Sequence, residues 1–272
     1  MMNESASLFE DVLRRDRAIV VTALVALVLI AWFYLLWLNG IMLPSATAPQ
    51  VNMPGMNMGP VSKTWSAVEL VVTFVMWSVM MVGMMTPSAA PMILVYARVA
   101  RHAQVDEKPF AATGWFVAGY LLAWSGFAVL ATFTQAALVS AALITPALAA
   151  GMDLFGAGIL IAAGLYQWSP LKQRCLSQCQ APFAFIQRHG GFKRDVRGGL
   201  ILGATHGLYC IGCCWALMGL LFVGGVMNPL WIAGLAIWIL LEKVVSLAGL
   251  MSRGLGLVLI GGGIIFALRT LM

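Results

Sequence analysis

Four residues of metal-ligand type fall within nine positions of this chain: His206, Cys210, Cys213 and Cys214, in the run His206-Gly207-Leu208-Tyr209-Cys210-Ile211-Gly212-Cys213-Cys214-Trp215. On a helix, His206 and Cys210 are four apart and share a face, which Cys213 and Cys214 continue. Sulfur is a soft ligand that selects Cu(I), zinc or an iron–sulfur centre. A second sulfur set lies at Met76, Met80, Met84 and, one position on, Met81 and Met85, each row spaced by four. Thioethers suit Cu(I) and rarely zinc, so copper is the favoured ion and zinc or another thiophilic metal the alternative. Cys175 and Cys179 form a further pair with helical spacing, close to Lys172 and Arg174, which favour the ligating thiolate. Each feature also has an ordinary reading. A methionine stripe is usually core packing, a buried cysteine is usually a small hydrophobe, and Glu242-Lys243 suits an internal ion pair.

These residues need elements that place them, and composition says which kind. The 272-residue chain is 61% hydrophobic and 10% charged, against roughly 25% charged residues in a soluble domain. The expected fold is all-α, a polytopic transmembrane helix bundle of about seven spans near 19–38, 66–97, 111–140, 152–168, 198–224, 229–250 and 254–271. Pro87 and Pro91 are expected to break the second, and the fourth ends at Trp168-Ser169-Pro170. The first run is too long for a signal peptide. A span entering near residue 198 carries Cys210 to Cys214 roughly 18–24 Å deep at 1.5 Å per residue. Met80, Met84 and Glu242 reach a similar depth from their own spans. Cys210, Cys213, Cys214, His206, Met80, Met84 and Glu242 are therefore candidate ligands of one buried site. Gly203, Gly207 and Gly212 permit close helix approach beside it.

Charge supplies an orientation. Thirteen basic residues fall on one side if the spans alternate, among them Arg14, Arg15, Arg17, Arg98, Arg188 and Arg253; Lys63 and Arg269 fall on the other. Positive loops stay inside, so the N-terminus is expected in the cytoplasm of a bacterial cell, in its inner (plasma) membrane. The net charge of +6 is explained by this bias and by contact with anionic lipid; it gives no reason to invoke nucleic acid. His102 and His189 fall in basic inner loops as solvated residues, and Cys175 and Cys179 are expected at the cytoplasmic surface. The outer segment 40–64 carries Met53, Met56 and Met58 among Pro44, Pro49, Pro54 and Pro60, a composition that disfavours regular structure. These thioethers are candidate outer ligands. The chain then divides into an N-terminal span with its Met/Pro-rich loop (1–64), a metal-binding membrane core (65–250) and a C-terminal span (251–272).

Three blocks carry a family resemblance. They are Met76-Trp77-Ser78-Val79-Met80-Met81 with Met84-Met85-Thr86-Pro87 and Pro91-Met92; Tyr166-Gln167-Trp168-Ser169-Pro170-Leu171-Lys172 with Cys175 and Cys179; and His206-Gly207 with Cys210, Cys213, Cys214-Trp215, Met227-Asn228 and Glu242-Lys243. Over most of residues 65–250 the chain resembles the bacterial family of predicted metal-binding integral membrane proteins. That resemblance implies metal binding, without naming the ion, and does not reach Met53, Met56 or Met58.

The leading expectation is a membrane protein that handles copper by binding it, transferring it, or inserting it into a membrane or metallochaperone partner. No Gly-rich phosphate loop is present to support pumping by this chain alone. A membrane thiol-disulfide oxidoreductase using Cys210 and Cys213 is one alternative. An accessory or scaffold subunit of a membrane complex is the other. No catalytic residue is assigned.

Overall fold

The computed structural model describes residues 2–46, 65–102, 109–144, 153–192, 195–245 and 247–271. Met53, Met56 and Met58 lie outside them. The described chain is all-helical and has no strand, as expected. In order, α1 is Met2–Ala46, α2 Ala67–His102, α3 Pro109–Ser140, α4 Asp153–Tyr166 and α5 Pro170–Gln180. There follow α6 Pro182–Arg188, α7 Val196–Gly219, α8 Leu221–Gly224, α9 Pro229–Val244 and α10 Ala248–Leu271.

Among the described residues, five helical stretches are long and apolar enough to cross a membrane: Ala18–Gly40, Ala67–Ala100, Ala112–Ser140, Val196–Gly224 and Gly249–Leu271. The helices α4 and α5 make a sixth candidate only as a pair, because the chain bends by 64° between them. At 16 residues, α9 is shorter than the five. Against the expectation of about seven, the described residues give five spans, or six if the bent pair is one; α9 is apolar but too short to be counted with them. Pro87 and Pro91 do not break α2, which runs on through both. In that turn the hydroxyls of Ser88 and Tyr120 donate to the Met85 carbonyl at 2.8 and 3.1 Å. The carbonyls the two prolines leave without a helical donor are those four residues back, at Gly83 and Pro87, a loss that apolar helices packed among neighbours tolerate.

Local signals explain the other boundaries. Ser169 caps α5, its hydroxyl accepting from the Lys172 N–H at 3.1 Å, and Pro170 opens the first turn. Asp195 caps α7 and Asn228 caps α9 in the same way. The core lies where α2, α3, α5, α7 and α9 meet. Contact between α3 and α7 is close because Gly203 has no side chain: a Cβ there would strike the Phe116 carbonyl. The outer surface is apolar. Phe33, Leu122, Phe133, Leu208, Leu230 and Val258 are all exposed. A water-facing surface of this kind would aggregate, whereas lipid accepts it.

Candidate metal centre

All five cysteines are free and buried, and they belong to one core cluster with Met76, Met80, Met81, Met84, Met85 and Met92. Cys210 is at the centre. The Lys243 ammonium donates to its Sγ at 2.9 Å and to the Ser88 hydroxyl at 2.8 Å. The Tyr120 hydroxyl lies 3.2 Å from the same sulfur. Cys213 and Cys214 sit three and four residues further along α7, and each thiol donates back to the Cys210 carbonyl at 3.0 Å. Cys214 also meets the Met85 thioether at 4.0 Å. From α5, Cys179 interacts with the thiols of Cys210 and Cys213, and Cys175 with that of Cys213.

The arrival of α5 depends on Gly212. A Cβ there would lie 2.7 Å from the Cys175 sulfur, so the bare backbone admits the thiol. The Tyr166 hydroxyl donates to the Gly212 carbonyl beside it. A buried ion pair holds α5 in place. Lys172 donates to both carboxylate oxygens of Glu242, at 2.9 and 2.8 Å, and to the Gln167 side-chain carbonyl. The Ser252 hydroxyl of α10 donates to the same carboxylate at 2.8 Å. Gln180, at the end of α5, donates to the Glu242 backbone carbonyl at 2.8 Å. Lys172 and Glu242 are fully buried, so each offsets a charge that would be costly alone.

Lys243 has no such carboxylate. It is buried, and its hydrogen-bond partners are a thiol and a hydroxyl. The thiol cluster therefore surrounds a positive charge. As the side chains stand, no three His, Cys, Asp or Glu residues among the described ones form a metal-holding group. Cys213 and Cys214 both turn their thiols to the Cys210 carbonyl.

His206, one turn before Cys210 on α7, sits among rings. Its imidazole lies 6.0 Å from Phe116, 5.8 Å from Tyr120 and 5.1 Å from Phe185, centroid to centroid. Its Nδ1 is buried with no hydrogen-bond partner.

The structure thus brings together Cys175, Cys179, Cys210, Cys213 and Cys214. Met80 and Met84 are fully buried in the same core, but the thioether in contact with a thiol is that of Met85. Glu242 faces the interior as expected, with its carboxylate engaged by Lys172 and Ser252 rather than by the thiols. The placing of Cys175 and Cys179 as a separate pair at the cytoplasmic surface is corrected. The 64° bend swings α5 inward and both thiols join the α7 cluster. His189 is likewise half-buried against Phe185 and Tyr209 rather than solvated. Sequence reasoning missed Lys243 as the cation on Cys210, and Tyr120 and Ser88 altogether. Only Lys243 carried a signal, as a cation inside an apolar run.

Fold and centre together define a helical protein whose interior collects soft sulfur ligands around one fixed positive charge. The chain belongs to the copper chaperone family PpoB2, whose sequence model matches residues 74–266. That range takes in all five cysteines, the α2 methionines, Lys243 and Ser252, and it leaves out Met53, Met56 and Met58. Neither the curated proteins nor the solved structures yield a match.

Proposed function

We propose that this chain is a multi-pass membrane copper chaperone of the bacterial inner membrane, with its N-terminus in the cytoplasm, which holds Cu(I) on the thiols of α5 and α7 and passes it to a protein partner. The observation that carries the reading is the gathering of five buried cysteines and Met85 in one core, with the Lys243 ammonium on the Cys210 sulfur, inside the segment that matches the copper chaperone family. The charge balance supports Cu(I). One Cu(I) on two thiolates carries a single net negative charge, which the Lys243 ammonium offsets; Zn²⁺ on two thiolates is already neutral and leaves the ammonium unbalanced. The ligands come from Cys210, Cys213, Cys214, Cys179 and Cys175, with the Met85 thioether beside them and Met80 and Met84 lining the same core. Glu242 fixes α5 rather than binding the ion. Met53, Met56 and Met58 remain as collectors on the outer side. Membership of a copper chaperone family favours this reading over a thiol oxidoreductase or a scaffold subunit. The apolar exterior supports the bilayer location.

Anaerobic loading of the purified protein with Cu(I), followed by elemental analysis, tests it. The expected content is about one Cu(I) per chain, lost on Cys210→Ser. A content below about one tenth per chain overturns the reading.

A further inference from the structure

His206 and His189 both pack against one phenyl ring, that of Phe185. Phe185 lies 5.1 Å from His206, edge-on, and 4.3 Å from His189. Tyr209, one turn along α7 from His206, packs edge-on against both Phe185 and His189 at 5.9 and 5.7 Å. His189 caps the C-terminus of α6 and is half-buried, so it faces outward from the core. A line therefore runs from the α6 surface through His189, Phe185 and His206 to Cys210.

The nitrogens are set for ligation. His189 Nδ1 lies 2.8 Å from the Phe185 carbonyl. An N–H donated there leaves Nε2 with its lone pair, the arrangement by which protein histidines are usually oriented for metals. His206 Nδ1 is buried without a partner. Buried polar atoms are almost always hydrogen-bonded, so an unpartnered one calls for an explanation. The other unpartnered atoms of the described core are indole or amide N–H groups and hydroxyls; His206 Nδ1 is the nitrogen among them able to offer a lone pair. The rings between the imidazoles attract a desolvated cation by their faces.

We propose that His189 and His206 are stepping ligands on the passage by which a soft monovalent cation moves between the α6 surface and the thiol cluster. This rests on the copper reading above. Each step exchanges one ligand for the next with no change of oxidation state. His206 is then a transit ligand, and the resident site is sulfur alone.

The test uses full-length protein loaded with Cu(I) in detergent, with extraction by a water-soluble Cu(I) chelator followed in time. His189→Ala and His206→Gln are each expected to slow extraction about tenfold, while the Cu(I) content at equilibrium stays unchanged. His189→Ala, at the half-buried end, keeps the test open if His206→Gln fails to fold. Extraction at the wild-type rate in His189→Ala, and in His206→Gln if that variant folds, overturns the passage and leaves the copper reading standing. A nitrogen ligand in the X-ray absorption spectrum of loaded protein that vanishes in His206→Gln also overturns it, because His206 would then be resident. Wild-type protein that takes up no Cu(I) fails at the earlier step and removes the basis for both.

Discussion

A lysine ammonium against a cysteine sulfur, both fully inside an apolar bundle, requires an account at the level of single residues. Lys243 has a fixed positive charge and no carboxylate, so an anionic metal–thiolate complex is its natural complement. Lys243→Met keeps the length of the side chain and removes the charge. Its expected effect is a loss of about tenfold or more in Cu(I) affinity, measured by competition with a chelator of known affinity. The neighbouring Glu242 is predicted to behave differently. Glu242→Gln leaves the Lys172 ammonium buried without its counter-charge, which costs about 3–5 kcal/mol. Thermal unfolding should show that loss in metal-free protein. The pair Lys172→Met with Glu242→Leu should recover much of it, because removing both charges removes the desolvation penalty. The contrast between positions 242 and 243 was only half legible in the sequence. A carboxylate and an ammonium in an apolar run announce burial, but adjacent residues on a helix point about 100° apart. Nothing in their order says that the acid faces α5 and α10 while the base faces the thiols.

At the level of elements, α5 is the piece that decides the make-up of the centre. Cys175→Ser with Cys179→Ser is expected to lower the retained Cu(I), since these thiols share the α7 cluster; an unchanged content would restore a separate surface pair. Gly212→Ala is expected to act in the same direction by pushing on the Cys175 sulfur at 2.7 Å. Gly203→Ala should be worse for the fold, because its methyl meets backbone of α3 rather than the end of a side chain. Gly234→Ala on α9 meets nothing within 4 Å and should be neutral or slightly stabilising, as alanine is the better helix former by about 1 kcal/mol. Thermal stability of the three variants checks the order. The caps at Ser169, Asp195 and Asn228 are findings of the structure, whereas the long helices were readable from their apolar length. The direction α5 takes after Ser169-Pro170 was not. Proline and a capping serine mark a start, yet a 64° turn is set by what the helix packs on, here Gly212 and Glu242.

For the whole molecule, the proposed bilayer location rests on the apolar exterior, and the proposed inside N-terminus on basic residues that fall on one side if the spans alternate. Reporter fusions at residues 105 and 190 should both read cytoplasmic. An outside signal at residue 190 would place His189 on the opposite face and reverse the side on which the passage opens. Of the three family blocks, spread over more than 160 positions, the first and third were readable as one buried site from their similar depth. The second, with Cys175 and Cys179, was expected at the surface and joins them only in the structure. Their partners on α3 were not readable, since Tyr120 looks like any aromatic of a packed helix.

The order of the chain sets when the Lys172–Glu242 bridge can close during synthesis. Lys172 is synthesised 70 residues before its carboxylate partner, and Cys210 is made 33 residues before the ammonium that faces it. Ser252, which completes the bridge, comes later still. A nascent chain with α7 already inserted therefore holds five thiols but no assembled centre. Under the copper reading, the ligands are thus made first, and the groups that position and balance them arrive with α9 and α10.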